Sequence, residues 1–259
     1  MGKNDYYSRI KQLNVEHYAG ETSYYSTAEL RPAEITLLKN LPKGSSILDV
    51  GCGSGRFSIN ATKMGYKVLG IDITPDAIEV CKARAADEKL NDVQFKLMDI
   101  TEKSTTQKFD YVFCPRFVIN AIATDERRRS AVRNMYASLE PGGSIFIESF
   151  NMLYMGTGPI KTMINISKSI FRRARIKLSK LFVKEYHGLF PGDMTYPANK
   201  ATGASNGFAH LPTVLEVKSY LKKGRLYSIH QVIGVKKIDI FKPFRYSIWT
   251  IERNVKEIR

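Results

Sequence analysis

The sequence lacks several features that would place the protein in other classes. It has no run of about eighteen apolar residues, so we expect no membrane-spanning helix. Residues 1–12 lack the apolar core of a secretory signal, and the three cysteines are odd in number and without metal-site spacing. These absences predict a cytoplasmic protein in a reducing compartment, with no bound metal.

Acidic residues are scarce in the second part of the chain. Residues 1–150 contain 20 Lys and Arg and 19 Asp and Glu, a net charge of +1. Residues 151–259 contain 20 Lys and Arg but only 6 Asp and Glu, a net charge of +14. Such asymmetry informs about binding partners and not about fold, so the second part is expected to meet an anionic partner.

Residues 45–72 are the most informative stretch. An apolar run at 47–50 without alternation predicts a buried strand, and a cluster of glycines ends it. A helix is predicted over 56–63 and a second strand over 67–71, which ends on Asp72. Strand, glycine loop, helix, strand and acid form the unit that binds a nucleoside at the carboxyl edge of a parallel sheet.

The spacing within the glycine loop limits which kinds of ligand can bind there. The loop runs Asp49-x-Gly51-x-Gly53-x-Gly55, whereas a dinucleotide fingerprint runs G-x-G-x-x-G. A pyrophosphate next to Asp49 would be repelled, while a cationic group would be attracted. The spacing therefore favours a nucleoside with a positively charged end.

The rest of residues 1–150 alternates between helices and strands. Residues 1–44 are expected to be helical, with a clear helix over 29–41. A helix capped by Thr74 and another capped by Thr124 are interleaved with strands over 93–97, 109–114 and 144–150. This alternation predicts a doubly wound parallel α/β sheet.

The loop D-x-G-x-G-x-G, the following Asp72 and the sequence L-E-P-G-G before the fifth strand resemble class I S-adenosylmethionine-dependent methyltransferases. The resemblance implies a seven-stranded, mostly parallel sheet whose last strand is antiparallel. The resemblance covers residues 45–150 and the closing strands but not the segment between them. We expect the chain to divide into an N-terminal helical cap (1–44), a cofactor-binding core (45–150), a basic lid-like insertion after strand five (151–212) and a C-terminal helix with closing strands (213–259).

The resemblance implies S-adenosyl-L-methionine as the cofactor and S-adenosyl-L-homocysteine as the product. Asp72 would accept hydrogen bonds from the ribose hydroxyls, and Ile73 would pack on the adenine. Asp49 and the glycine loop would face the methionine portion. The implied cofactor-binding residues are Asp49, Gly51, Gly53, Gly55, Asp72, Ile73, Asp99, Ile100 and Cys114.

Residues 151–259 do not continue the simple alternation. Residues 160–184 contain no acids and predict one long basic amphipathic helix or two short ones, which favours peripheral contact with anionic lipid or another polyanion. A long turn-rich loop follows over 187–212. A helix is then predicted over 213–223, with strands over 227–235 and 245–252.

The methyl acceptor is expected above the carboxyl ends of the fourth and fifth strands. His210 is the favoured general base, because an imidazole titrates near neutrality and this segment is expected to fold back over the cleft. His187 is the second candidate. The polar groups expected within reach are Arg116, Asn120, Glu148, Asn151, His187, Asp193, Tyr196 and His210.

Three functions fit these patterns. The first is methyl transfer to an oxygen or nitrogen of a small anionic acceptor, such as a sugar nucleotide, a glycan precursor or a phosphorylated metabolite. The second is a tRNA methyltransferase whose basic half binds the phosphate backbone. The third is a non-enzymatic scaffold at a membrane surface, against which the intact loop with Asp72 and Asp99 argues.

Overall fold

The computed structural model describes residues 3–26, 28–150, 171, 193–196, 206–212, 216, 219–220 and 247–253. Six helices and eight strands lie in this part of the chain. In order they are α1 (Lys3–Ser26), α2 (Pro32–Lys39), β1 (Ser46–Val50), α3 (Arg56–Lys63), β2 (Lys67–Asp72), α4 (Pro75–Asp87), β3 (Val93–Leu97), β4 (Phe109–Cys114), α5 (Val118–Ala121), α6 (Asp125–Ala137), β5 (Leu139–Phe150), β6 (Asp193–Tyr196), β7 (Gly207–His210) and β8 (Ser247–Arg253).

The main sheet has the strand order β3-β2-β1-β4-β5-β8. Its first five strands are parallel, and β8 pairs with β5 in the antiparallel sense. The predicted doubly wound α/β fold is therefore confirmed. The strand predicted over 245–252 is β8, whereas the one predicted over 227–235, which would bring the sheet to seven, lies outside the described residues.

Successive residues of the central strands contribute to cores on opposite faces of the sheet, as the two-residue period of a strand requires. Leu48 and Val112 belong to the core beneath α5 and α6. Ile47 and Phe113 belong to the core beneath α2, α3 and α4. Phe146 stacks on Phe113 with ring centroids 4.4 Å apart, which fixes β5 against β4 on that second face. Strands buried on both faces explain the continuous apolar runs in the sequence.

The structure differs from the sequence predictions at three places. β5 begins at Leu139 and not at residue 144, so the L-E-P-G-G sequence expected to precede the strand lies within it, where the pairing with β4 shifts register. Thr74 occupies the N-cap of α4 without a side-chain cap bond, while Thr124 caps α6 by accepting a hydrogen bond from the Arg127 N–H. Two short strands, β6 and β7, lie within the predicted loop and form an antiparallel pair, which the Gly and Pro residues of this segment obscured in the sequence.

The helical character of residues 3–26 and 32–39 is confirmed. The predicted basic helix over 160–184 lies outside the described residues, apart from Phe171, which is exposed. The division of the chain into cap, core, insertion and closing segment stays a prediction. No helix within the described ranges is long and apolar enough to cross a membrane.

Candidate active site

A cavity of about 770 Å³ lies at the carboxyl ends of β1, β2, β3 and β4. The glycine loop and the edge of the sheet form its floor, while α1 with Phe208, Ala209 and Leu211 forms the opposite wall. Ligand sites in proteins commonly measure about 300–1,000 Å³. The cavity also lies where the strand order reverses between β1 and β4, which is where open α/β sheets bind ligands.

The glycine loop connects β1 to α3 with its three glycines in left-handed backbone conformations. Gly51, Gly53 and Gly55 have φ angles of 72°, 52° and 82°. A Cβ on Gly51 would collide with the side chain of Val118, so that glycine allows a close approach of two segments. A Cβ on Gly53 would meet nothing within 4 Å, which leaves open space above the backbone of the cavity floor.

Asp72 ends β2 and holds the glycine loop in place. Its Oδ2 accepts a hydrogen bond from the Gly53 N–H at 2.8 Å, and its Oδ1 accepts one from the Thr74 N–H at 2.9 Å. Burial raises the pKa of Asp72, and the backbone donors act in the opposite direction. Because each carboxylate oxygen can accept two hydrogen bonds, Asp72 retains capacity for hydroxyl donors from a ligand in the cavity.

Asp49 is buried beneath the loop, and only one of its two carboxylate oxygens has a hydrogen-bond partner among the described residues. Its Oδ2 accepts a hydrogen bond from the Ser58 hydroxyl at 2.6 Å, whereas its Oδ1 has no partner within the described part of the chain. Burial raises the pKa of Asp49 to about 7. A cationic group in the cavity would supply the missing partner and favour the ionised carboxylate.

Asp99, beyond the end of β3, joins the sheet edge to α1. The Tyr7 hydroxyl donates to Asp99 Oδ2 at 2.8 Å, and Lys11 Nζ lies 2.6 Å from the same oxygen. The Thr101 N–H donates to Oδ1 at 2.8 Å. Burial alone would raise the pKa of Asp99, but the hydrogen bonds, led by that of Lys11, outweigh it and lower the pKa below its usual value.

α1 presents a row of polar side chains to the cavity. Asn14 fixes the middle of the helix, since its Nδ2 donates to the Ala121 carbonyl at 2.7 Å and its Oδ1 accepts from the Phe208 N–H at 3.3 Å. The spacing of the row is that of one helix face. Its members are Tyr7, Lys11, Asn14, His17, Tyr18 and Glu21.

The turn after β4 is strained where it meets the cavity. Arg116 and Phe117 have φ angles of 54° and 64°, which ordinary side chains rarely adopt. The Arg116 N–H donates to Oε2 of the buried Glu148 at 2.7 Å, and Arg31 Nη1 donates to Oε1 of the same carboxylate at 2.8 Å. Backbone strain of this kind is concentrated at functional sites, so the turn is a candidate for contact with a ligand.

A second buried carboxylate continues this ion network to the cavity. Arg56, which lines the cavity, donates from both terminal nitrogens to the Glu34 carboxylate at 2.7 Å. Arg31 also pairs with Glu34 at 2.9 Å. Burial would raise the pKa of Glu34, but the guanidinium groups of Arg56 and Arg31 lower it instead.

His210, the favoured general base, lies away from the cavity wall. Its neighbours Ala209 and Leu211 line the cavity, whereas the His210 side chain is buried behind them. Its Nδ1 lies 2.7 Å from Asp193 Oδ1, and its Nε2 lies 2.7 Å from Glu216 Oε1. With both nitrogens engaged by carboxylates, the geometry supports a structural role for His210, and its catalytic role stays an untested prediction.

The His210 cluster fastens α1 and α6 to β6 and β7. The Tyr6 hydroxyl donates to Asp193 at 2.8 Å, and Arg128 Nε donates to the Tyr220 hydroxyl at 2.8 Å beside Glu216. The Asn120 side chain donates to the His210 carbonyl at 2.8 Å. Thus three of the polar groups that were expected near the acceptor (Asn120, Asp193 and His210) are brought together in the wall behind the cavity.

The structure brings most of the predicted cofactor residues together. Gly55 and Cys114 are not among the residues that line the cavity: Gly55 approaches Cys81, and Cys114 is buried in the core beneath α6. His187 and Asn151 lie outside the described residues. The predicted residues that line the cavity are Asp49, Gly51, Gly53, Asp72, Ile73, Asp99 and Ile100.

The sequence predictions missed the polar face of α1 and Arg56. The helical spacing of Lys11, Asn14, Tyr18 and Glu21 could have indicated one functional face, but a row of polar residues usually faces solvent. Within the described residues, no group of His, Cys, Asp and Glu side chains is arranged to hold a metal ion.

These features define a Rossmann-like nucleoside-binding protein, and comparison with known proteins narrows it further. A family described as "Methyltransferase domain" matches residues 41–187, more than half of the chain. Ubiquinone biosynthesis O-methyltransferase of Coxiella burnetii is 34% identical over 110 residues, which are 42% of this chain and 45% of that protein. EEF1A lysine methyltransferase 2 of Homo sapiens is 27% identical over 117 residues, 43% of this chain and 50% of that protein. The matches span about half the length of these curated relatives.

Solved structures share the fold over a larger part of the chain. The CcbJ methyltransferase of Streptomyces caelestis has a TM-score of 0.64 at 13% identity and covers 93% of this chain and 99% of its own. A SAM-dependent methyltransferase of Methanosarcina mazei has a TM-score of 0.60 at 18% identity, with coverages of 88% and 99%. The chain belongs to the methyltransferase domain family, with the class I S-adenosylmethionine-dependent fold.

The residues of the cavity fit S-adenosylmethionine, the cofactor of this class. Its sulfonium and amino groups are cationic, and the partnerless Oδ1 of Asp49 is a buried acceptor at the loop. The open space above Gly53 accommodates a ligand that a Cβ would obstruct. Asp72 offers acceptor capacity for two ribose hydroxyls, and Ile73 and Ile100 provide apolar surface beside it.

Proposed function

We propose that the protein is an S-adenosylmethionine-dependent O-methyltransferase that acts on a small hydroxylated acceptor carrying a negative charge. The observation that carries the proposal is the cavity that Asp49, the glycine loop and Asp72 line together, with α1 across it. Methylation on oxygen is favoured by the 34% identity to an O-methyltransferase over 110 residues.

The cofactor would be held by the sheet-edge side of the cavity. Asp72 would accept the hydrogen bonds of the ribose hydroxyls, and the side chains of Ile73 and Ile100 would pack against the adenine. Asp49 Oδ1 would face the cationic methionine portion. Bound in this way, the cofactor supplies an electrophilic methyl group on a sulfonium.

The remaining walls would orient the acceptor and exclude water. α1 and the apolar side chains of Phe208 and Leu211 close the cavity opposite the glycine loop. Holding two reactants in line can lower a barrier by several kcal/mol, and a closed wall limits competing attack by water. This part of the chain therefore contributes alignment and exclusion of water.

The charge of the acceptor is inferred from the cavity wall at β4. Arg116 lines the cavity at the strained turn, and its backbone is held by the buried Glu148. A guanidinium binds carboxylate and phosphate groups through paired hydrogen bonds. We therefore assign Arg116 to the anionic group of the acceptor.

The cofactor part of the proposal is tested by calorimetry with S-adenosylhomocysteine on the full chain, with a pyridine dinucleotide as the control ligand. We expect saturable binding of S-adenosylhomocysteine and no binding of the dinucleotide. Heat from the dinucleotide but none from S-adenosylhomocysteine would refute the assignment.

The acceptor part is tested by methyl-labelled S-adenosylmethionine with anionic phenols and sugar phosphates, and with total tRNA as the competing acceptor. We expect label in the small molecules, and a loss of transfer in Arg116→Gln mainly through a raised KM. Salt-sensitive labelling of tRNA would instead support a tRNA methyltransferase, which no feature of the described part of the chain favours.

A further inference from the structure

His17 is the histidine that lines the cavity among the described residues. Its side chain is 3% exposed, on the face of α1 that is turned to the cavity. The helical turn before it is held in place, because the Asn14 side chain donates to the Ala121 carbonyl and accepts from the Phe208 N–H. His17 therefore has a defined position in the wall opposite the glycine loop.

Glu21 lies one helical turn beyond His17 and also lines the cavity. Its Oε2 is 3.7 Å from His17 Nε2, and both side chains are almost completely buried. A carboxylate at this place can orient the imidazole ring. Such contacts are often long in a ligand-free enzyme and tighten when substrate binds.

A hydroxyl acceptor must lose its proton when its oxygen takes the methyl group, and His210 is buried behind the wall. We propose that His17, oriented by Glu21, is the general base that receives this proton. The proposal rests on the O-methyltransferase function proposed above.

The step is balanced with S-adenosylmethionine as the co-reactant. The acceptor O–H bond breaks and its proton moves to an imidazole nitrogen of His17. The electron pair of the acceptor oxygen forms the new O–CH₃ bond, while the pair of the broken S–CH₃ bond stays on sulfur. The imidazolium later releases its proton to water.

Other ionisable groups line the cavity with His17, and a group among them that titrates near neutral pH would also shape the pH profile of the enzyme. Asp49 is such a group, since burial raises its pKa to about 7, whereas the pKa of Asp99 is lowered. Profiles must therefore be compared between variants that retain Asp49, at saturating cofactor. The charged groups of the cavity walls are Glu21, Asp49, Asp72, Asp99, Lys11, Arg56 and Arg116.

The test uses matched pairs of acceptors that differ only in hydroxyl against amine: para-hydroxybenzoate with para-aminobenzoate, and glucose phosphate with glucosamine phosphate. The variants are His17→Gln, Glu21→Gln and the control Glu16→Gln, whose side chain is exposed on the same helix. Each is assayed for methyl transfer across pH 5–9 and, by calorimetry, for affinity for S-adenosylhomocysteine.

We expect His17→Gln to lower kcat on the hydroxyl acceptors by about 100-fold or more at pH 7 and to remove the acidic limb of its pH profile. Affinity for S-adenosylhomocysteine should stay within about twofold of the wild type, because the sheet edge is intact. Glu21→Gln should lower kcat by about tenfold, and Glu16→Gln should change neither quantity.

Three results would overturn the assignment of His17: turnover within about threefold of wild type in His17→Gln, an unchanged acidic limb, or a fall in cofactor affinity that matches the fall in rate. If His17→Gln does not fold, two other measurements replace it: the activity of Glu21→Gln, and the rescue of His17→Ala activity by added imidazole. The assignment of His17 as the base would be refuted if imidazole gave no rescue and Glu21→Gln had wild-type activity. A wild-type enzyme that methylates only the amines, or neither member of any pair, would instead refute the proposed function.

Discussion

The two sides of the cavity are built from the sequence in different ways. The glycine loop and Asp72 are joined by a hydrogen bond between residues 19 positions apart, within one strand–helix–strand unit. The opposite wall is fastened by contacts between Tyr6 and Asp193, 187 positions apart, and between Asn14 and Phe208, 194 positions apart. The proposed cofactor side is therefore encoded locally, whereas the proposed acceptor side depends on contacts between segments that are distant in the sequence. Changes on the first side should affect ligand affinity, and changes on the second should affect stability and turnover.

The largest expected effect comes from removing the anchor of the cofactor side. Asp72→Ala removes the acceptor for the Gly53 N–H and the proposed acceptor for the ribose hydroxyls, and each hydrogen bond to a charged group contributes about 1.5–3 kcal/mol. We expect the Kd for S-adenosylhomocysteine to rise by about 100-fold or more, measured by calorimetry. Asp76→Ala, at an exposed position on α4, is the control. A change of less than threefold in Asp72→Ala would place the ribose elsewhere.

On the opposite wall, His210→Gln breaks the contacts with Asp193 and Glu216, which are buried or partly buried. A buried group left without its partner destabilises a protein by about 1–3 kcal/mol, so we expect a loss of about 2 kcal/mol in the free energy of unfolding in urea. Thr195→Ala, at an exposed position of β6, should be neutral. If His210→Gln retained full stability but lost turnover at normal cofactor affinity, His210 would regain its predicted role as the base.

A smaller effect should follow from the titration of Asp49, whose pKa burial raises to about 7. The ionised form attracts the cationic cofactor and the protonated form does not. Affinity for S-adenosylmethionine should therefore rise with pH up to about 7 and level off above it. Below that pH the loss should be at most about tenfold per pH unit.

Asp49→Asn supplies the comparison for this profile. We expect it to bind S-adenosylmethionine more weakly than the wild type at pH 8 and with little dependence on pH. Calorimetry in buffers of different ionisation enthalpy should also show proton release on binding at pH 6.5 in the wild type alone. A pH-independent wild type would show that Asp49 does not face the cationic group.

The smallest effect concerns the outer surface of the opposite wall. The Arg127 guanidinium lies 4.3 Å from the centre of the Tyr7 ring, and a contact of this kind contributes about 0.5–1 kcal/mol. Arg127→Ala should lower the free energy of unfolding by that amount, and Arg127→Lys by less. If Arg127→Ala lowered the free energy of unfolding by more than about 2 kcal/mol, the Arg127–Tyr7 contact would contribute more to holding α1 in place than the His210 cluster does.

The same contrast explains which predictions from the sequence succeeded. The helix at 56–63 and the strand at 109–114 have the predicted bounds, because local patterns of apolar residues and glycines specify them. Asp49 and Asp72 could be placed at the cavity because parallel strands end at one edge of a sheet. The positions of Asp49 and Asp72 at that edge were predictable from residues 45–72 alone.

The acceptor side could not be predicted in this way. His210 was placed in a loop over the cleft, but β6 and β7 pair and bury it beside Asp193. His17 belongs to a row of polar residues that looks like a solvated helix face, and only the packing of α1 against Ala121 and Phe208 turns that face to the cavity. A periodic pattern identifies the face of a helix but not its neighbour.

The strained turn at Arg116 and Phe117 has a consequence for how this enzyme can diverge. The buried Glu148 holds the turn through the backbone N–H of Arg116, and a main-chain amide is present at that position in any residue except proline. The hydrogen bond beneath the proposed acceptor position is thus independent of the residue-116 side chain, while the left-handed backbone there disfavours β-branched residues. A lineage can exchange that side chain, and with it the compounds it modifies, while the machinery for the methyl donor is inherited unchanged.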